Sequence, residues 1–199
     1  MKVFYEMPVT IVLIILNGTA FMLTEAMGGS ENVRVMLEMG AAYTPYIIEQ
    51  EEYYRLFMSM FLHFGISHLF NNMLLLFLLG KMLENTVGKL RFLSIYVVGG
   101  VLANLVSLWG DLGLDPTLMP VSAGASGAVF AIMGALLSIL LLDRRRLPSL
   151  TIPRFVLMIF LALWQGFSGQ NVNNMAHVAG LIAGFMLGLL LYREPKVRS

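Results

Sequence analysis

The sequence predicts an all-α, polytopic membrane protein with six transmembrane helices and a long amphipathic first outer loop. Three observations predict it. Of its 199 residues, 58% are apolar and 13% charged, against about 45–50% and about 25% in water-soluble domains. The mean hydropathy is +0.78. Apolar runs recur, separated by short polar or Pro/Gly-containing joints. The chain reads as a single membrane-embedded domain over 1–199. It has no cysteine, which excludes disulfides and zinc-thiolate sites. No basic stripe on a soluble face invites nucleic acid.

The first span is expected over Val9 to Glu25. Lys2 before an apolar run resembles a signal peptide, but Glu6 and the lack of a clean small-residue cleavage site favour a retained helix. Met27 to Ile66 follows, too long for a plain connection. Its Tyr43, Tyr46, Tyr53, Tyr54, Phe57 and Phe61 suit the membrane surface. The second and third spans cover Ser67 to Leu83 and Leu90 to Trp109. A loop, Gly110 to Ala125, contains Gly113, Pro116 and Pro120. The fourth span, Ser126 to Leu142, begins where that irregular backbone ends. The fifth, Ile152 to Phe167, is the weakest, with an apolar core that rises only about 20 Å. The sixth runs from Asn173 to Tyr192.

Lysine and arginine predict orientation. With an inside N-terminus, Lys2, Lys81, Lys89, Arg91, Arg144, Arg145, Arg146, Arg154, Arg193, Lys196 and Arg198 are cytoplasmic, and only Arg34 and Arg55 are outside. Both termini are then cytoplasmic. Glu49, Glu51, Glu52, Asp111 and Asp115 face outward.

Polar groups at membrane depth carry the functional signal, because an unpaired one costs several kcal/mol. Spans two, four and six run in the same direction. Near their starts they place His68, Asn71 and Asn72; Ser126; and Asn173, Asn174 and His177. Ser126 lies in Gly124-Ala125-Ser126-Gly127, at a helix start whose free N–H groups and dipole suit an oxyanion beside a serine nucleophile. The competing reading of this motif is close helix packing. His177 is followed by Gly180, Gly184 and Gly188 on one helix face. Span four carries Gly127, Ala131, Gly134 and Ser138. Two such grooves would bring Ser126 and His177 into nucleophile–base contact, although a lone membrane histidine also serves as a structural hydrogen-bonder. No carboxylate lies at that depth, so a two-residue arrangement is the economical one. His68 and Asn72 share a face and offer donors to an oxyanion, or equally an interhelical clamp.

These residues resemble the rhomboid family of intramembrane serine proteases, in its compact prokaryotic six-helix form, with no seventh helix and no soluble domain expected. The resemblance rests on Gly124 to Gly127, Ala176-His177-Val178-Ala179-Gly180 through Gly184, His68-Leu69-Phe70-Asn71-Asn72, and Tyr54-Arg55 ahead of His63 and His68. It implies Ser126 as nucleophile and His177 as general base, with His68, Asn72 and the Ser126 backbone forming the oxyanion hole. Gly124 would shape the loop, Phe130 would stack under the histidine, and Arg55 and Glu84 would be structural. The usual tryptophan before the arginine is tyrosine here. Single-span membrane proteins would be the substrates, cleaved near their outer end, with no metal or other cofactor. The location would be an inner or plasma membrane, with the site open to the outer side. Ser122, Asn173 and Asn174 would line a water entry, and span five, with Trp164 and Phe167, would be the lateral gate.

Two rival readings remain. A small-solute transporter lacks support from mid-span charges or inverted repeats. An inactive relative that escorts membrane proteins could lose Ser126 or His177 without penalty, yet both are present. No HExxH zinc signature or paired intramembrane aspartates occur, and the 15 methionines are scattered filler. The substrate's identity and the oligomeric state are not encoded legibly.

Overall fold

The structure, a computed structural model, describes residues 6–115, 118–168 and 173–193, with side chains at all of these except 165–168. Lys2, Pro116, Lys196, Arg198 and the Phe167 side chain lie outside the described residues.

Nine α-helices run through the described chain: α1 Pro8–Ala26, α2 Val33–Glu38, α3 Thr44–Glu49, α4 Arg55–Met58, α5 Gly65–Val87, α6 Lys89–Asp111, α7 Ser126–Leu142, α8 Ile152–Ser168 and α9 Asn174–Leu191. Four of these, α1, α5, α6 and α9, are long and apolar enough to cross a membrane, and α7 and α8 are shorter apolar helices. Large apolar side chains face outward on all six, including Ile15, Phe70, Leu78, Leu102, Leu141, Phe160, Ile182 and Leu190. Water would not tolerate such a surface, and lipid requires it. The protein is a membrane protein.

The helix ends follow local chemistry. Pro8 opens α1, where its missing N–H costs nothing. Gly88 alone joins α5 to α6, and its φ of 89° permits the reversal. Glu84, buried on α5, accepts from the N–H groups of Val9 and Thr10 at 3.0 and 2.8 Å, and from Thr10 Oγ1 at 2.7 Å. A carboxylate on the neighbouring helix thus caps the start of α1, where the dipole favours negative charge. Glu84→Ala is expected to cost about 3 kcal/mol, because it strands buried donors. Thermal unfolding in detergent checks this, with Glu84→Gln expected to lose less.

The central helix is α7, buried almost all round. Glycines let its neighbours close on it. A methyl at Gly180 would strike the Gly127 carbonyl, one at Gly184 the Ala131 carbonyl, and one at Gly188 the Ser138 hydroxyl. From the other side, a methyl at Gly99 would strike the Ala131 methyl. Backbone contact of this kind replaces the hydrophobic drive that lipid cannot supply. By contrast α8 touches α7 and α9 only sparsely.

The segment between α1 and α5 has structure of its own. Met36, Ala41 and Leu62 form a small buried cluster, while Ile48, Tyr53, Tyr54 and Phe57 are exposed. Arg55 is 4% exposed and pins this segment. Its Nε donates to Glu52 Oε2 at 2.5 Å, and NH1 donates to the Leu37 and Ala41 carbonyls at 2.7 and 3.0 Å. Tyr46 and Tyr54 cover the guanidinium at 4.9 and 5.4 Å.

Candidate active site

The loop into α7 is held on three sides. Ala42 and Ser122 exchange backbone hydrogen bonds of 2.9 and 2.8 Å, the Gly124 N–H donates to the Ser59 carbonyl at 2.9 Å, and the Ala125 N–H donates to His63 Nε2 at 3.3 Å. Gly124 has a φ of +137°, which only glycine adopts without strain. A Cβ there would also sit 2.8 Å from His68 Cε1, so the position excludes a side chain twice over.

Ser126 is the first residue of α7 and half-buried. A helix of this length rises about 26 Å, less than an about 30 Å hydrocarbon layer. With Asp143 and the following arginines at one boundary, the serine stops short of the other. His177, in the first turn of α9, reaches it: Nε2 to Ser126 Oγ is 2.9 Å. In the Nδ1–H tautomer the hydroxyl donates to Nε2, the arrangement from which a base removes the serine proton. Phe130, one turn along α7, stacks under the imidazole with centroids 4.4 Å apart and planes 21° apart. His177 Nδ1 makes no hydrogen bond to any described residue. Packing, rather than a carboxylate, holds the ring.

His68 lies beside the same loop and serine. The point where a Gly124 Cβ would stand is 2.9 Å from His68 Nε2 and 3.8 Å from Ser126 Oγ. Behind it, His63 meets the His68 ring edge-on at 5.0 Å. Burial, with His68 beside it and the Phe61 backbone partly opposing, pushes the His63 pKa down to about 3. The unfolded chain, with an ordinary value of 6.5, therefore binds more protons, and stability falls as the pH drops from 6.5 toward about 3. We expect thermal unfolding in detergent to shift steadily downward across that window, and His63→Gln to flatten part of the slope. An unchanged slope would remove His63 from this role.

Some side chains meet partners other than those anticipated. The Asn72 amide donates to the His68 carbonyl of its own helix at 3.0 Å, and Asn71 is exposed. Asn173 is a brace more than a channel lining: its Oδ1 caps α9 through the Ala176 N–H at 3.0 Å, and its Nδ2 donates to Ser107 and to Ser122, the latter at 3.2 Å. Trp164 stacks on Phe160 with centroids 6.1 Å apart. Three residues anchor this region in roles the sequence did not reveal, His63 having figured only as a landmark of the resemblance. They are His63, Asn104, which donates to the Leu56 carbonyl at 2.8 Å and Ser59 Oγ at 3.1 Å, and Thr44, which donates to Asp111 at 2.9 Å.

A bundle that buries a hydroxyl–imidazole pair at the starts of two membrane helices defines a class, and comparison with known proteins says which. A family model of the Rhomboid domain matches residues 50–194, and the chain belongs to the rhomboid family. It is 35% identical over 183 residues to "Rhomboid protease GluP" of Bacillus subtilis (strain 168), covering 92% of this chain and 34% of that protein. It is 36% identical over 152 residues to "RHOMBOID-like protein 5" of Arabidopsis thaliana, covering 75% and 48%. "RHOMBOID-like protein 1" of the same plant is 34% identical over 164 residues, covering 80% and 40%. The chain thus spans between a third and a half of the length of these relatives.

Proposed function

We propose that this chain is an intramembrane serine endopeptidase that cuts transmembrane segments of single-span membrane proteins near their outer end. The observation that carries the proposal is the 2.9 Å contact between Ser126 Oγ and His177 Nε2 at the mouth of α7. Membership of a family that includes a named protease supports it.

In this reading Ser126 Oγ attacks the scissile carbonyl while His177 takes its proton. The carbonyl oxygen becomes an oxyanion, received by the Ser126 N–H at the helix start and by the His68 imidazole, with Asn72 assisting if its amide leaves the His68 carbonyl. Protonated His177 hands its proton to the leaving amine. Water then attacks the acyl-enzyme, again through His177, and frees Ser126. No metal or other cofactor takes part. A helical substrate hides its carbonyls, so the segment must unwind before attack, and weak helix formers at the cut favour this. The sparse packing of α8 supports it as the side through which substrate enters. The charge distribution favours cytoplasmic termini in a plasma or inner membrane, with the site opening outward.

The test is reconstitution in liposomes with a tagged single-span reporter. Cleavage within or beside the reporter's span supports the proposal. Intact reporter with retained binding would favour an escort protein, and solute flux without cleavage a transporter.

A further inference from the structure

At the end of α7 opposite Ser126, a cavity opens between the feet of α7 and α8, lined by Leu140, Arg144, Leu150, Thr151, Ile152 and Pro153. Three arginines leave α7 here, and they are not equivalent. Asp143 engages Arg145 through Nε at 3.2 Å and Arg146 at 4.0 Å, and also accepts from the Tyr192 hydroxyl at 3.2 Å. That set latches the foot of α7 to the end of α9. The Arg144 side chain, which lines the cavity, makes no ion pair or hydrogen bond with any described residue, and neither does that of Arg154 in the first turn of α8. Both are exposed. Next to this unspent positive charge, Leu141, Leu142, Val156 and Leu157 are 46–55% exposed on the same two helices.

A cation lining the cavity, a second one residue beyond its lining Pro153, and apolar surface running away along both helices match one kind of molecule: a phosphate-bearing head on hydrocarbon tails. A free phosphate would leave the apolar flanks without an occupant. An acidic peptide would leave the exposed Leu141 and Leu157 uncovered. We propose that this cavity seats the headgroup of an anionic phospholipid from the leaflet on that side, with Arg144 and Arg154 as its charge partners. Its acyl chains lie along the exposed apolar faces of α7 and α8. The site is independent of the chemistry at Ser126.

Native mass spectrometry of the full chain released from micelles, titrated with phosphatidylglycerol or phosphatidylcholine, tests this directly. The wild type is expected to retain phosphatidylglycerol in preference, and each of Arg144→Gln and Arg154→Gln to weaken that retention about fivefold, the effect of one arginine at a charged lipid surface. Arg145→Gln, whose guanidinium is already engaged by Asp143, is expected to leave it unchanged, as is millimolar inorganic phosphate. Equal retention of the two lipids, an unaltered preference in the double variant, equal weakening by Arg145→Gln, or displacement by phosphate alone would each overturn the proposal.

Discussion

Ser126→Ala is expected to lower cleavage of a reconstituted reporter by about 10⁴-fold or more, while the helical content and unfolding temperature stay near those of the wild type. The size follows from the proposed mechanism, in which Ser126 Oγ forms the acyl bond and neither base nor oxyanion donors offset its loss. The fold should survive because the hydroxyl bonds to His177 Nε2, and Phe130 continues to support that ring from below. The reporter's cleavage rate in liposomes, read beside circular dichroism, gives both quantities. Cleavage persisting in a folded alanine variant would mean that another group attacks.

Gly184→Val should be the most damaging change away from the reacting atoms. Any Cβ at Gly184 runs into the Ala131 carbonyl. Ala131 cannot retreat, because its methyl already lies against Gly99 on α6. With backbone on both sides the helices must part, at a cost of about 3 kcal/mol or more. Separation of α9 from α7 would also pull His177 off Ser126, so activity and stability should fall together. Gly18 provides the contrast, since nothing lies within 4 Å of a Cβ there. Gly18→Ala should be neutral or slightly stabilising, as helix propensity predicts. Unfolding in detergent distinguishes the two, and a Gly184→Val protein as stable as the wild type would contradict the packing described for α7 and α9.

What could be read from the sequence follows the kind of signal each feature carries. The six apolar helices were legible from composition, and four of them also from the length that hydrocarbon thickness imposes, which α7 and α8 fall short of. Their observed limits, such as Pro8–Ala26 for an expected Val9 to Glu25, differ by a residue or a few. The approach of Ser126 to His177 could be argued because both follow from position along a helix: one residue opens α7, and the other shares a face with Gly180 and Gly184. The stripe on the third neighbour was overlooked. Gly99, Gly100 and Ala103 on α6 meet the Ala131 and Ala128 methyls and Gly127 of α7, a looser approach than the backbone contact of α9, but nothing in their spacing names the helix they face. Loop partners were illegible for a related reason. His63 with Ala125, Asn104 with Ser59 and Ala42 with Ser122 lie far apart in sequence, and irregular backbone has no period from which to infer a match. Asn72 shows the opposite limit. Its residue type suggested a donor aimed across the bundle, whereas a carbonyl four residues back on its own helix takes the amide, an option open to any asparagine in a helix.

Peptide mapping of a fluorophosphonate adduct decides whether His177 activates Ser126, because the label bonds only to a hydroxyl that a neighbouring base makes nucleophilic. A single adduct on Ser126 is expected in the wild type, and none in a folded His177→Ala variant. An adduct on a different serine, or labelling of Ser126 that survives removal of the imidazole, would contradict it.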